Sequence, residues 1–359
     1  MEPVTHMLTG ACLSRSGLNR KTSYVTAAMV IGAEAPDLDM LWRLHGPVSE
    51  LQHHRGITHT FLGAPFMALG TLAVLMIFDR MRTARPSVPI RWGWVWLCAF
   101  IADLSHILLD YTTNYGVRPF YPFNPHWYAW GILNLFDTFI FLSLVIALLA
   151  PGAFLLGNQE RGSREKFAGQ RVWAWAALTF VLLWWGLRSQ QQAHANALVK
   201  NGDYFAEPVR RIGAEPSMTS PFRWHMVIDT GNAYRTASVD TLHNEVVLNR
   251  RVILKGPITS AVVAAKQSHL GKVYVDWSTW PLIEDMGSLS IPAPVAPPTP
   301  AGQHWHTVAF LDMRFDSPSL LEELEKFRHK AGTASLIGWV YVGPDHQIEG
   351  QYMHGQKQR

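Results

Sequence analysis

Hydrophobic and polar positions divide the chain into two unlike halves. Long apolar runs fill residues 1–190, whereas residues 191–359 alternate in the short blocks of mixed-polarity globular sequence. Four runs approach the roughly 20 apolar residues that a bilayer-spanning helix needs. They are Phe61 to Phe78, Trp92 to Thr112, Ile132 to Leu156 and Val172 to Leu187. Tyr24 to Ala35 is apolar but too short to cross alone, which predicts a re-entrant or oblique helix covered by protein. In the second half, RWHMVID (223–229), NEVVLNRRVIL (244–254), KVYVDWS (272–278), HTVAFLDMRF (306–315) and SLIGWVYV (335–342) are β-branched and aromatic runs bounded by turn residues. They predict strands. The proline-dense stretch 291–302 reads as a stiff linker or excursion. The expected fold is an α-helical polytopic membrane domain, with about four spans plus short N-terminal helices, over residues 1–190. A β-rich α+β extramembrane domain over residues 191–359 follows it.

Charge then orients the spans. Residues 79–91 carry Arg80, Arg82, Arg85 and Arg91, and residues 158–171 carry Arg161, Arg164, Lys166 and Arg171. Two spans separate these segments, so they share one side, and the Lys/Arg bias makes that side cytoplasmic. The intervening segment 113–131 has Arg118 alone and is expected outside, as is the C-terminal domain. Arg15, Arg20 and Lys21 leave the side of the N-terminus open. The 15 Trp residues suit membrane interfaces, and Trp92, Trp94, Trp127, Trp130 and Trp173 sit at the ends of apolar runs. A net charge of +4 without a basic block gives no footprint for nucleic acid. Cys12 and Cys98 form neither a zinc ribbon nor a disulfide framework. The opening MEPVTHMLTG lacks the layout of a cleavable signal peptide, so targeting is expected from the membrane helices.

Three clusters carry the candidate chemistry: Asp37 with Asp39; the run His53-His54-Arg55-Gly56-Ile57-Thr58-His59; and Asp103, His106 and Asp110 within the second span. The last three fall at helical spacing on one face. Ionisable groups inside a membrane segment are costly and point to function. Singly, each has a plain structural reading: a loop histidine, a carboxylate at a helix end, or an internal hydrogen-bonded pair. Together they form a repulsive set that a divalent cation accounts for at once, and carboxylate oxygen with imidazole nitrogen is a donor set that suits zinc. Asp103 is expected as a ligand or as a group orienting His106. Arg55 is expected to hold an anionic group through its planar fork.

The ordered motifs THMLTG, APDLD, HHRGITHT, DLSHILLDYTTNYG and WGILNLFDTF, within about residues 1–145, resemble the YdjM-type (YfhP-like) membrane-bound metal-dependent hydrolases. The resemblance adds His6 to the ligand candidates and favours His54 over His53, since the motif's histidine directly precedes Arg-Gly. With those additions the expected metal ligands are His6, Asp37, Asp39, His54, His59, His106 and Asp110, and Arg55 and Asp103 are expected in catalysis. The expected setting is a bacterial inner membrane, and the expected substrate is an ester or phosphoester of a lipid-linked or amphiphilic molecule at the outer boundary. Membrane lipids are the expected partners. The competing reading is a non-enzymatic membrane protein with a structural metal and a partner-binding C-terminal domain. A transporter would need polar groups continuing through the third and fourth spans, and beyond Asn134 and Asp137 they do not.

Overall fold

The computed structural model describes residues 1–83, 88–160, 168–202, 208–218, 220–288, 305–315, 336–354 and 356–358. The N-terminal part is a helical bundle: α1 (Pro3–Arg15), α2 (Val25–Glu34), α3 (Pro47–His53), α4 (Ala64–Met81), α5 (Trp92–Thr112), α6 (Thr138–Glu160) and α7 (Ala168–Asn201). Between α2 and α3 the chain runs as a 3-10 segment, Ala35–His45, and a 3-10 turn, Ile57–His59, precedes α4. Among the described residues three helices, α4, α5 and α7, are long and apolar enough to cross a membrane, and the apolar stretch Thr138–Gly152 of α6 is shorter.

Helices α1 and α2 form a hairpin packed in the bundle, its turn beside Val88 and Pro89 and its two open ends at Asp110 and His106. Small residues let these helices approach closely, as membrane interiors favour. A Cβ on Gly10 would lie 2.3 Å from the Met29 carbonyl, and one on Gly32 would lie 2.7 Å from the Ala99 carbonyl of α5. The second approach sets the α2 end beside His106.

The expected third span, Ile132 to Leu156, begins later than its hydropathy suggests. Asp137 accepts from the Phe139 and Ile140 amides and so starts α6 at Thr138. Ile132 and Leu133 are buried but extended; both donate their amides to the Thr112 carbonyl. Asn134 donates to the Pro216 carbonyl. Asn134 and Asp137 are thus polar groups at a helix entry, not within a span.

The basic residues gather at one end of this bundle. Thr22 and Ser23, in the α1–α2 turn that carries Arg20 and Lys21, donate to the Pro89 and Val88 carbonyls, and Arg91 donates its amide back to Thr22. Arg15 reaches the Leu148 carbonyl of α6, and Arg171 lies against Gly17. Arg85, Arg161, Arg164 and Lys166 lie outside the described residues, as does the proline-dense stretch 291–302.

The C-terminal part holds two antiparallel meanders. Strands β1 (Arg211–Pro216), β2 (Arg223–Asp229), β3 (Ala233–Asp240) and β4 (Glu245–Leu254) form one sheet in that order; β5 (Pro281–Asp285), β6 (His306–Asp312), β7 (Gly338–Val342), β8 (Ile348–Met353) and β9 (Gln356–Lys357) form the other. Period-2 alternation assigns the faces. Ala309, Leu311, Trp339 and Tyr341 meet Val227, Tyr234 and Ile253 of the first sheet, while Val308, Phe310, Val340 and Val342 pack on α8 (Ser260–Gln267) and α9 (His269–Trp277). The far face of the first sheet, with Trp224, Met226 and Ile228, packs on Ala195 and Val199 of α7. The layers are therefore the α7 tail, sheet, sheet, helix pair. The run KVYVDWS, expected as a strand, is the last part of α9. Ser268 caps it by accepting from the Gly271 amide, and buried Leu270, Val273, Tyr274 and Trp277 repeat at helical spacing.

Both parts meet at the segment 113–134. Buried Arg314 donates to the Asn114 and Tyr115 carbonyls and pairs with Asp312 at 2.9 Å, while Asn114 donates to Glu215 of β1. Burial pushes Glu215 up to about 7, against the opposing pull of Arg314 and Asn114. Val48 and Leu51 of α3 join the α8–α9 core.

Candidate metal centre

Four chain segments converge at the end of the bundle opposite the basic turns. Helix α5 brings His106 and Asp110, one turn apart; the 3-10 segment after α2 brings Asp37 and Asp39; the end of α3 brings His54 and Arg55; and the 3-10 turn brings His59. Asp110 lies 19 residues along from Arg91, which at ~1.5 Å per residue is nearly the full ~30 Å of a bilayer's hydrocarbon core.

Four ligand atoms face one point. His59 Nε2 lies 3.1 Å from His106 Nε2 and 3.3 Å from Asp37 Oδ1, and His106 Nε2 lies 3.5 Å from Asp37 Oδ1. Asp110 Oδ2 stands 3.5 Å from each of the two imidazole nitrogens. The edge of a regular tetrahedron is about 1.6 times its centre-to-vertex distance. Ligands ~2.0–2.1 Å from a zinc-sized ion therefore sit roughly 3.3–3.4 Å apart. The five edges that involve an imidazole nitrogen, 3.1–3.5 Å, bracket that value.

The hydrogen bonds behind this set decide which atoms carry protons. His106 Nδ1 donates to the Ala33 carbonyl at 2.6 Å, and His59 Nδ1 lies 3.0 Å from both the Thr58 hydroxyl and Asp39 Oδ2, the carboxylate oxygen to which Thr58 donates. With both protons on Nδ1, both Nε2 atoms present lone pairs to each other. Asp110 Oδ2 is buried with no hydrogen-bond partner. Four lone pairs thus point at one another with no donor between them. That arrangement repels itself unless a cation sits at its centre, and the residues present fit a divalent ion.

Asp39 lies behind the set. It belongs to a second group with Asp37 and His54 whose ligand atoms lie within 4.8 Å of one another. Its own oxygens are filled, however. Oδ1 meets His54 Nδ1 at 2.8 Å, and Oδ2 accepts from the Arg55 amide and the Thr58 hydroxyl as well as facing His59. Burial alone would raise this carboxyl, but the hydrogen bonds from His54 and His59 outweigh it and hold Asp39 below the usual carboxylate range. Burial lowers His54 against the pull of Asp39.

Other expected residues fall differently. His6 stacks on His106 with centroids 3.7 Å apart, its Nε2 is 3.4 Å from Asp110 Oδ1, and neither ring nitrogen has a hydrogen-bond partner. It abuts the four-atom set without joining it. Asp103 is buried and its carboxylate has no partner, so it does not orient His106, whose Nδ1 goes to Ala33. Asp103 and Asp110 share a face but stand ~10 Å apart along the axis, too far for one ion. Asp110 Oδ1 also accepts from the Met1 amine.

Arg55 also departs from expectation. It occupies the left-handed region at φ 56° and is buried against Tyr115, 4.7 Å from the ring centroid. Its Nη2 donates to Asp110 Oδ1 at 2.8 Å, and its Nη1 donates to Thr113 Oγ1 and the Gly116 carbonyl. Burial lowers it to about 10, leaving it cationic near neutral pH. The fork expected to grip substrate is spent on holding a candidate ligand. Groups behind metal ligands tune affinity by about 10–100-fold. Arg55→Lys, which cannot make all three contacts, is expected to weaken metal binding by that order, measured by competition with a chromogenic chelator. Unchanged affinity would return Arg55 to substrate binding.

Two further groups of the site, Tyr115 and the Ala33 carbonyl, have no signal in the sequence: Tyr115 carries no ligand chemistry, and a backbone carbonyl leaves no mark on residue type.

The YdjM inner membrane protein family is matched over residues 1–195, which contain the whole cluster. The chain belongs to the YdjM inner membrane protein family. It is an integral membrane protein with a His/Asp cluster that can hold a metal ion. A curated relative, the uncharacterized protein YfhP of Bacillus subtilis (strain 168), is 31% identical over 124 residues, which is 34% of this chain and 36% of YfhP. The match thus spans about a third of the relative's length. No solved structure matches the chain.

Proposed function

We propose that this protein is a membrane-bound metal-dependent hydrolase acting on an ester or phosphoester of an amphiphilic substrate at the outer face of the membrane. The observation that carries the reading is the set of converging lone pairs on Asp37, His59, His106 and Asp110. The donors are nitrogen and oxygen only; Cys12 and Cys98, the ligands a structural zinc site would favour, pack elsewhere as buried free thiols. Zinc is the proposed ion. When bound, it supplies Lewis acidity and lowers the pKa of a water. Asp39 fixes the His59 tautomer, Ala33 fixes that of His106, and Arg55 holds Asp110 in place. Access is from the Asp37 and His54 side, where side chains are 11% and 18% exposed while His59, His106 and Asp110 are closed off. Turnover of a panel of lipid esters and phosphoesters by the zinc-loaded protein tests the reading. Activity is expected to vanish in His59→Ala. A metal-replete protein that hydrolyses none of them would leave the second reading, a structural ion.

The orientation proposed is C-terminal domain outside. The gathered Arg15, Arg20, Lys21, Arg80, Arg82, Arg91 and Arg171 support it, because Lys and Arg near span ends are retained in the cytoplasm. Alkaline phosphatase fused after residue 359 should be active in cells, and a fluorescent reporter that matures only in the cytoplasm should be dark there. The reverse pattern would overturn the orientation.

A further inference from the structure

A groove of about 340 Å³ runs between the last two turns of α5 and the segment 117–128, walled by Leu104, Ile107, Leu108, Phe61, Phe120 and Tyr128. No charged side chain lines it. Its volume falls within the range of small-molecule sites. The wall is held by a T-shaped Phe61–Phe120 pair at 5.5 Å and by a second between Phe120 and Tyr128. The Phe61 amide donates to the Pro119 carbonyl, so the two sides are tied together by backbone.

What fills this groove follows from where it lies. Helix α5 is long and apolar enough to span, and the groove occupies its end farthest from the basic turns. At that depth the surroundings are lipid chains with interfacial aromatic groups. Phe61, Leu108 and Phe120 are 52%, 47% and 48% exposed, so the groove opens outward. It is also built from the neighbours of the metal cluster: Phe61 follows His59 by two residues, and Ile107 directly follows His106. The segment 113–120 that walls it also supplies the Thr113 and Gly116 contacts of Arg55.

We propose that this groove holds one hydrocarbon chain of a membrane amphiphile and that the substrate of the metal centre is carried on such a chain. The second clause rests on the hydrolase reading; the first stands without it. The chain would lie along α5 within the outer leaflet, leaving its polar head at the level of Asp110.

The test uses full-length protein in detergent with a stoichiometric phosphatidic acid whose acyl chain bears a diazirine. After photolysis, labelling of peptides covering 104–111 and 117–128 is expected to exceed that of the α4 surface around exposed Ile77 at least fivefold. Leu108→Trp, which fills the groove, should remove that excess while metal content stays at the parent level. Equal labelling at both surfaces, or an excess that survives Leu108→Trp, would overturn the proposal, as would cross-linking to a second copy in place of lipid. Labelling without hydrolysis of any panel lipid sinks the hydrolase reading alone. Hydrolysis of a panel lipid without groove labelling sinks the groove alone.

Discussion

Replacing Arg314 by methionine is expected to destabilise the protein by about 3–5 kcal/mol, the usual consequence of stripping one partner from a buried ion pair. Arg314 and Asp312 have side chains 3% and 0% exposed, and the guanidinium donates to both Asp312 oxygens and to the Trp277 carbonyl. It also lies 4.6 Å from the Trp277 ring centroid. Without it, Asp312 keeps Ser278 and the Thr279 amide but loses its only countercharge among the described contacts. The pH dependence distinguishes this from simple loss of packing. Burial raises Asp312, but Arg314 and the hydrogen bonds outweigh it and hold the carboxyl below the usual range. In the parent, that contribution is present above the unfolded value of ~3.9 and is lost as pH falls through the lower folded value. In Arg314→Met, burial raises the carboxyl instead, so the deficit should be greatest at neutral pH and shrink as pH falls toward 5. Thermal unfolding at both pH values checks this. Adding Asp312→Asn should recover part of the loss, because it removes the uncompensated charge. A deficit that is flat in pH and unrelieved by Asp312→Asn would reduce Arg314 to a packing residue. Since Arg314 grips the Asn114 and Tyr115 carbonyls, and Tyr115 lies under Arg55, the same variant should also weaken metal binding.

The second large effect concerns removal of the ion. An ion that binds only the folded protein stabilises it by mass action, about 4 kcal/mol when free metal is 1,000 times its dissociation constant. Chelation is therefore expected to lower the melting temperature of the parent protein, and re-addition of zinc to restore it. His106→Ala should melt near the chelated parent and should not respond to chelator, because one vertex of the tetrahedron is gone. Asp103→Asn, outside the four-atom set, should respond as the parent does. A parent protein whose melting ignores both chelator and zinc would leave the cluster as a hydrogen-bonded core.

Much of the site was legible because its chemistry is local in sequence. Asp37 and Asp39 fall within three residues, His54 to His59 within one turn and loop, and His106 to Asp110 within one helical turn, so each motif arrives as a unit. What sequence could not supply was the sorting of those residues into those facing the shared centre and those behind it. Asp39 and Asp37 differ by two positions, yet one has its oxygens filled by His54, Thr58, His59 and the Arg55 amide while the other faces the centre. Arg55 reads as an anion grip until Asp110, 55 residues away, is seen to occupy it. Asp103 shares a helical face with His106, but that periodicity says nothing of height along the axis. In the fold, composition located the apolar helices, whereas the capped start of α6 at Asp137 and the helical α9 behind Ser268 were decided by side-chain hydrogen bonds that hydropathy does not register. The Arg314 contact with Asn114 spans 200 residues and had no sequence signal at all.

Whether Asp37, His59, His106 and Asp110 hold one metal ion is read from elemental analysis of purified protein. The protein should be expressed with zinc and gel-filtered free of loose metal, with the parent, Asp103→Asn and the double variant His59→Ala/His106→Ala handled side by side. Close to one zinc per chain is expected in the parent and in Asp103→Asn, and close to none in the double variant while it still elutes as a folded protein. A parent without stoichiometric transition metal, or a double variant that retains it, would mean that these four residues do not form a metal site.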